Sequence, residues 1–589
     1  MGRVPTRTIP AMRVVLPSSA GWPWLAVFTL AIVPPVLMAY SRSPSPTVLN
    51  QLLALGGWAV VALAIGMRGP TEARGAWRSP LICALALLGG AVLWAMVGGL
   101  PDSVAYSALA VLAAAALMVR LGQEPGVAVG GRAFYWALLL AGLLSAAIAL
   151  VQVFAPQWVD GVWLARPVQA GRAVGNVRQP NHLSSVLVWA LVATVPLAQP
   201  LLAGGRRWVW RLVWLAVMGL LVWAVVLSGS RTGALSMLVL ALWGLVDRRL
   251  GAFLRLALLA MPLCYGLAWW GMDAWSAAGH ALASTEHLRA GFEGGDISSS
   301  RFRIWADTLT LIAQQPWLGV GFGEFNFAWS LTPLPNRPVA FFDHTHNLPL
   351  QLLVELGLPL GTLVLALLLG ALGQAAWRAW RDTNAATATG ARAAVVVVLM
   401  IGLHSLLEYP LWFAYFLLPT AWAWGLALRQ PNLARRPWVR SPAQWPTVAG
   451  GVMLALVLFA TYEYLRVAAI YSTRAGGGSL TERIADGQAT VFYGAQADYA
   501  AATSLLEPAA FGRATHLLLD TRLMVAWARM LAATNHEDPA RHLAQRLREF
   551  RNPASRDFFA PCEGPPTGDF QCQTPNQQLS WRDFQELQR

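Results

Sequence analysis

No lysine occurs in the 589 residues, so all 43 basic side chains are arginines, set against 29 acidic ones for a formal charge of +14. Charge of either sign is scarce. Only 12% of residues are Asp, Glu, Lys or Arg, about half the share in an ordinary soluble domain, while 56% are hydrophobic and mean hydropathy is +0.49. That balance excludes a soluble globular enzyme and a disordered chain alike. Cysteine is nearly absent too, with Cys83 and Cys264 inside apolar runs and Cys562 and Cys572 in a polar tail. Only the last two are placed for a disulfide, which an oxidising compartment would favour over two free thiols. A pI near 10.4 does not point to nucleic acid, because a membrane protein concentrates its basic residues in cytoplasmic loops.

What is abundant is long apolar runs, each sufficient to cross ~30 Å of hydrocarbon with ~20 residues. Reading them between charged breaks predicts thirteen spans, near 22–40, 50–67, 80–99, 104–119, 133–154, 183–203, 209–229, 232–246, 252–271, 347–372, 393–410, 411–428 and 447–465. The chain reads as an all-α polytopic membrane protein. With the N-terminus inside, alternate short loops collect Arg3, Arg7 and Arg13; Arg68, Arg74 and Arg78; Arg120 and Arg132; and Arg206, Arg207 and Arg211. The same side gathers Arg248, Arg249 and Arg255; Arg378, Arg381 and Arg392; and Arg429, Arg435, Arg436 and Arg440, leaving only Arg42 and Arg231 in short outer loops. The rule that Arg-rich short loops stay cytoplasmic sets this orientation. The first run is too long for a signal-peptide core and no small-residue cleavage pattern follows it, so it is read as a retained span.

Three polar stretches then face outward: 155–182, 272–346 and the tail from 466 to 589. Three- and four-residue spacing of apolar residues between Ala526 and Phe550 makes the tail a small helical domain, with a loop-like last forty residues. The expected division is 1–130 for the N-terminal spans, 131–428 for a core with both outer loops, 429–465 for the last span and its lead-in, and 466–589 for the periplasmic helical domain.

Ionisable groups at the rim of a bilayer are costly unless they pair or face a cavity, and four clusters stand out there. The first runs from Arg172 through Arg178, Gln179, Asn181 and His182, where Asn181 could also serve as a helix N-cap. The second is the turn Ser228-Gly-Ser230-Arg231, whose open backbone suits an anion although a lone Arg there could simply snorkel. The third is Ser300-Arg301-Phe-Arg303; on a helix its two arginines diverge, so one binds and the other is structural. The fourth is Asp343-His344-Thr-His346-Asn347, followed by Gln351 and Glu355. A histidine there suits general-base work, whereas the H-x-H spacing lacks the cysteine or carboxylate set that would make it a zinc site, so no metal is assigned. Several arginines and one or two histidines on one face suit a substrate with a phosphate-rich head and a lipid tail, and hence group transfer from a lipid-linked donor.

The order Gln179-Pro-Asn181-His182, Ser-Gly-Ser-Arg231, Ser-Arg301-Phe-Arg303, Trp317-Leu-Gly-Val-Gly-Phe-Gly323, His346-Asn347 with Gln351 and Val354-Glu355-Leu-Gly357, then His404-Ser-Leu-Leu-Glu408-Tyr409-Pro410 resembles the Wzy/WaaL/PglL group of bacterial membrane glycosyltransferases. The resemblance covers about 130–425, and the tail looks like the extra domain of the PglL-type branch. It implies a GT-C-like fold in the inner membrane and an inverting, metal-independent and cofactor-free transfer on the periplasmic face. His346 best matches the base, although His344 departs from the simplest pattern and leaves the choice between the two open. Arg231, with Arg303 or Arg301, would hold the pyrophosphate. Gln179, Asn181, His182, Asn347, Tyr409, Glu355 and His344 would meet glycan or acceptor. The implied donor is an undecaprenyl-pyrophosphate-linked glycan, and the acceptor is a hydroxyl of a pilin-like protein, with lipid A core (a ligase) and a second lipid-linked glycan (a polymerase) as alternatives. A transporter is the reading from another class, but the chain shows no internal repeat and no midplane charge.

Overall fold

The computed structural model describes residues 22–68, 79–124, 128–202, 207–280, 282–284, 286, 297–334, 337–338, 342–384, 387–429, 444–472, 478–565 and 568–588. Arg3, Arg7, Arg13, Arg74, Arg78, Arg206, Arg435, Arg436 and Arg440 of the orientation argument lie outside these residues. The described chain is helical, and among its residues there is no strand beyond one isolated bridge. In order, the membrane region consists of α1 (Trp22–Leu37), α2 (Val48–Gly66), α3 (Pro80–Gly98), α4 (Asp102–Gly122), α5 (Ala128–Phe154), α6 (Pro180–Leu202) and α7 (Arg207–Ser228). It continues with α8 (Arg231–Val246), α9 (Ala252–Leu259), α10 (Met261–Ala277), α11 (Ile297–Gln314), α12 (Phe325–Leu331), α13 (Leu348–Arg381), α14 (Ala388–Ser405), α15 (Ala414–Leu428) and α16 (Trp445–Ile470).

Helices occur at all thirteen expected positions, but the count of thirteen spans is not reproduced. Among the described residues nine helices are long and apolar enough to cross a membrane, ten if the bent pair α9–α10 is one span, while α1, α8 and α15 are shorter apolar helices. The expected span 252–271 is broken by 45° at Ala260, where Pro262 in the first turn of α10 cannot extend the preceding hydrogen-bond ladder. The expected span 347–372 is likewise two helices meeting at Gly357, whose φ of 74° and ψ of 168° leave the helical region.

Local chemistry sets the helix ends. Ser79 caps α3 through the Ile82 amide, Ser230 caps α8 through Gly233, and Asn347 caps α13 through Leu350. Within the bundle, α2 runs along α16, α5 along α1 and α6, and α4 along α15. The α4–α15 crossing is close because it is built on Gly122 and Gly425: a Cβ on Gly425 would sit 2.3 Å from the Val119 carbonyl.

One end of the bundle is fixed by a buried ion pair, Arg392 Nε to Asp247 Oδ2 at 2.6 Å, with the Trp243 indole donating to the same oxygen at 3.2 Å. The pair joins the end of α8 to the start of α14. Since α8 begins at Arg231 and α14 leads to Glu408, it marks the end of the bundle opposite those residues. Removing one member leaves the other charged and buried, so Asp247→Ala should lower stability by about 3–5 kcal/mol. Thermal unfolding of the purified protein in detergent checks this; an unchanged midpoint would mean Arg392 finds another partner.

After α16 the tail forms α17 (Leu480–Gln488), α18 (Gly494–Ser504), α19 (Pro508–Ala514), α20 (Thr521–Ala533), α21 (Glu537–Phe550), α22 (Arg556–Phe559) and α23 (Trp581–Gln588). The periodic stretch 526–550 is therefore two helices, separated where Asn535 takes a φ of +64°. The last forty residues are less loop-like than expected, because Trp581 and Phe584 pack α23 into the tail's core. Cys562 and Cys572 are joined by a disulfide.

The tail shares its core with α12, in the long segment between α10 and α13. His516 Nδ1 lies 2.7 Å from Glu324 Oε2, the Leu519 amide donates to Asn326 Oδ1 at 2.6 Å, and His542 Nε2 meets the Leu331 carbonyl at 2.9 Å. Arg337 is sandwiched between the Trp329 and Phe550 rings. These contacts titrate in opposite directions. Burial pushes His542 down to about 4, so its contribution is complete above the unfolded value of about 6.5 and is lost as pH falls through 4. His516, raised by Glu324 against the opposing effect of burial, contributes fully below about 6.5 and loses that contribution as pH rises through its folded value. Acidification from pH 6.5 to 4 should therefore cost the docked tail about 3 kcal/mol at His542. Hydrogen exchange of α20 and α21 at pH 7 and 4.5 reads this directly, and His542→Gln should flatten the difference.

Candidate functional site

The loop before α6 is shaped by two buried amides. Gln152 Oε1 accepts from the Val174 and Gly175 amides, and the Asn176 side chain bonds Leu37 and Trp163 carbonyls and the Ala165 amide. Arg178, at a φ of +59°, turns its guanidinium back onto the carbonyls of Pro46 and Ala39, so it acts as a strap. This geometry brings Gln179 and Asn181 to the first turn of α6, facing the α7–α8 turn. Ser230 Oγ donates to Asn181 Oδ1 at 2.6 Å and accepts from Ser184 Oγ at 3.0 Å, which ties the two motifs together.

All of this converges on Glu408, at the end of α14. Its Oε1 accepts from Arg301 Nη2 at 2.7 Å and Asn181 Nδ2 at 2.9 Å, its Oε2 accepts from Gln179 Nε2 at 2.9 Å, and His346 Nδ1 lies 3.7 Å from Oε2. Burial would raise this carboxyl, but His346 above all, then Arg301 and His404, outweigh it and hold Glu408 far below the ordinary carboxylate range. The carboxylate is thus a permanent anion that positions cations and amides around it.

The histidine loop is held from both sides. The Thr345 amide donates to Gln351 Oε1 at 2.7 Å, Gln351 Nε2 donates to Glu355 Oε1 at 2.8 Å, and the Trp305 indole donates to the Thr345 carbonyl at 3.1 Å. Asn347 caps α13 and donates to the Leu406 carbonyl at 3.1 Å. His346 itself sits at a φ of +55°, which a residue with a Cβ adopts only when its surroundings impose it. The two histidines differ in access. His344 is 4% exposed, with Nδ1 on Asp343 and its ring against Tyr409, and burial lowers its imidazole despite Asp343. The His346 side chain is 15% exposed.

Two glycine-containing motifs distant in sequence form one unit. The Val320 and Gly321 amides donate to the Val354 and Glu355 carbonyls at 2.8 and 3.0 Å, and Gly319, at a φ of +67°, presses so closely that a Cβ would lie 2.5 Å from the Glu355 carbonyl. This unit fixes the break at Gly357 and the turn of helix that carries Gln351.

The structure thus gathers Arg301, Gln179, Asn181 and His346 around Glu408, with Arg231 at the start of α8 and Asn347, Tyr409 and His344 in the adjoining loops. It does not bring three of the expected residues to the cluster. Arg303 diverges from Arg301 on α11 and is exposed; Glu355 is buried under the loop; and His182 lies beneath it, 3.3 Å from the Tyr415 hydroxyl. Glu408 was not among the expected residues. Among the described residues no three His, Cys, Asp or Glu side chains come together as a metal site.

Comparison with known proteins matches three family models to this framework. One described as O-antigen ligase covers residues 215–366, one described as virulence factor membrane-bound polymerase, C-terminal, covers 392–514, and one described as protein glycosylation ligase covers 173–197. A general O-oligosaccharyltransferase of Acinetobacter baylyi is 28% identical over 334 residues, 54% of this chain and 55% of that protein. A ComP-specific O-oligosaccharyltransferase of the same organism is 23% identical over 301 residues, 49% of this chain and 50% of that one. The chain spans about half the length of these relatives. Its apolar helices and these matches make it a multi-pass membrane protein.

Proposed function

With the resemblance to the Wzy/WaaL/PglL group borne out by these matches, we propose that the chain is a glycosyltransferase that moves a glycan en bloc from an undecaprenyl-pyrophosphate carrier to serine or threonine hydroxyls of periplasmic, pilin-like proteins. It works at the outer face of the bacterial inner membrane, with its N-terminus in the cytoplasm and its tail in the periplasm. The observation that carries this reading is the Arg–Glu–His cluster at one end of the bundle, opposite the Asp247–Arg392 end. In the reaction the acceptor oxygen attacks the anomeric carbon from the face opposite the pyrophosphate. Its proton passes to His346, the bond from the anomeric carbon to the phosphate oxygen breaks, and undecaprenyl pyrophosphate leaves as an anion stabilised by Arg231 and Arg301. Attack opposite the leaving group inverts the anomeric centre, and the guanidinium groups supply the charge that a metal ion supplies elsewhere. His346 suits the base better than His344, because it is accessible and its neighbour is already committed to Asp343.

A ligase acting on lipid A core is the second reading, favoured by the family model over 215–366. Reconstitution with an undecaprenyl-pyrophosphate-linked glycan, a pilin-like protein and a lipid A core, with and without EDTA, decides between them. Mass added to serine or threonine and unaffected by EDTA supports the proposal. Transfer to the lipid core alone makes the chain a ligase, and transfer to neither removes both readings and returns the polymerase and the transporter.

A further inference from the structure

The pyrophosphate reading leaves one cation of the cluster without a part. Arg172 belongs to the loop before α6, and two hydrogen bonds fix it beside the α7–α8 turn: the Ala173 amide donates to the Leu227 carbonyl at 2.9 Å, and Arg172 Nε to the Ser228 carbonyl at 3.1 Å. The Ser284 amide, 3.4 Å from the Gly171 carbonyl, closes the same corner from the other side. Arg172 is thereby placed next to Arg231 in a half-buried position. Among the described residues neither arginine has a carboxylate within ion-pair reach, and the charged group that acts on each is another arginine: Arg231 on Arg172, and Arg301 on Arg231. Arg231 Nη2 is buried and has no hydrogen-bond partner. Like charges are not normally held side by side in a half-buried corner unless an anion joins them.

Building on the proposed function, we infer that Arg172 is a third pyrophosphate-binding arginine, the one that meets the phosphate on the polyprenyl side. Hydrogen bonds order the groups: Arg172 on the Ser228 carbonyl, Arg231 next to Ser230, Ser230 on Asn181, then Asn181 and Arg301 sharing Glu408, with His346 3.7 Å from its other oxygen. Glu408 offsets one of the three guanidinium charges. Two remain, matching the two negative charges of a pyrophosphate diester. Bond breaking occurs beside His346, so the sugar-bearing phosphate lies toward Arg301 and the other lies at the far end, where Arg172 stands. The N-terminus of α8, in the middle of the row, adds its positive dipole end. Arg172 therefore recognises the second phosphate, and the site distinguishes a diphosphate carrier from a monophosphate one.

The test measures binding of undecaprenyl pyrophosphate and undecaprenyl monophosphate to the full chain in nanodiscs. The wild-type protein should prefer the diphosphate. Arg172→Gln, which keeps a side-chain N–H but no charge, should weaken diphosphate binding on the order of 10- to 100-fold, with monophosphate binding changed by about threefold or less. Arg172→Lys, which loses the bond to Ser228 but keeps the charge, should retain most of the preference. The opposite order, with lysine losing it and glutamine keeping it, would show that Arg172 only braces the loop and would overturn the inference. So would an unchanged preference in both variants. If the wild-type protein itself binds neither lipid in preference to the other, the proposed donor is wrong, a failure separate from that of Arg172.

Discussion

Replacing His346 with alanine is expected to slow glycan transfer on the order of 10²- to 10⁴-fold while leaving the donor bound, as loss of a general base does. The expectation follows from how the loop is built. His346 is forced to a φ of +55° and lies 3.7 Å from a carboxylate that is ionised throughout the working range, so the protein spends conformational freedom to hold this imidazole at one place. An imidazole beside a fixed anion can take a proton from a hydroxyl and carry the resulting positive charge with little reorganisation. His344→Ala should act differently. His344 is buried against Tyr409 and bonded to Asp343, so its loss should disturb packing and thermal stability more than the chemical step. Single-turnover transfer measured beside donor binding separates the two variants. A wild-type rate in His346→Ala would exclude it as the base and turn attention to His344.

Much of this was legible in the sequence, and the part that was not has a common cause. Apolar runs located the apolar helices of the membrane region, because hydrophobicity is a local property, but not α11 and α12 in the polar stretch between them; the break at Gly357 was not seen, because it depends on Gly319 pressing from another segment. The opposed directions of Arg301 and Arg303 follow from helical geometry alone, but which of them turns inward depends on where Glu408 lies. Arg178 and Arg172 looked equivalent in the loop before α6. One proves to be a strap onto Ala39 and Pro46, the other a neighbour of Arg231, and only the fold distinguishes them. Glu408 was the main omission. It stands in the motif from His404 to Pro410 but was given no role there, because a lone glutamate after an apolar helix does not show which cations and amides the fold will bring to it, although the cost of an unpaired charge there was a signal that it must be paired.

Glu408→Gln should be the second most damaging change, lowering transfer on the order of 10²-fold and stability by about 3 kcal/mol. The carboxylate accepts from three donors, Arg301, Asn181 and Gln179; the guanidinium has no acceptor and Asn181 already uses its oxygen for Ser230, so only Gln179, whose Oε1 has no partner, can turn its amide and accept instead. A glutamine keeps the shape, and with its oxygen on Arg301 and Asn181 and its N–H₂ on a turned Gln179 it can keep the hydrogen bonds, so what it removes is the negative charge. Arg301 then loses its counter-ion and the row of arginines gains a third uncompensated charge, which should tighten donor binding even as transfer falls. That divergence is the signature to measure, since a merely misfolded site would lose both. Because Glu408 is ionised well below its ordinary range, its contribution is present above about 4.3 and is lost only in strong acid, so the acid limb of the wild-type pH–rate profile belongs to another group and should persist in Glu408→Gln. Arg301→Ala combined with Glu408→Gln should be less harmful than the sum of the two, because each removes the partner of the other. Strict additivity would mean that the 2.7 Å contact between them carries no weight in the reaction.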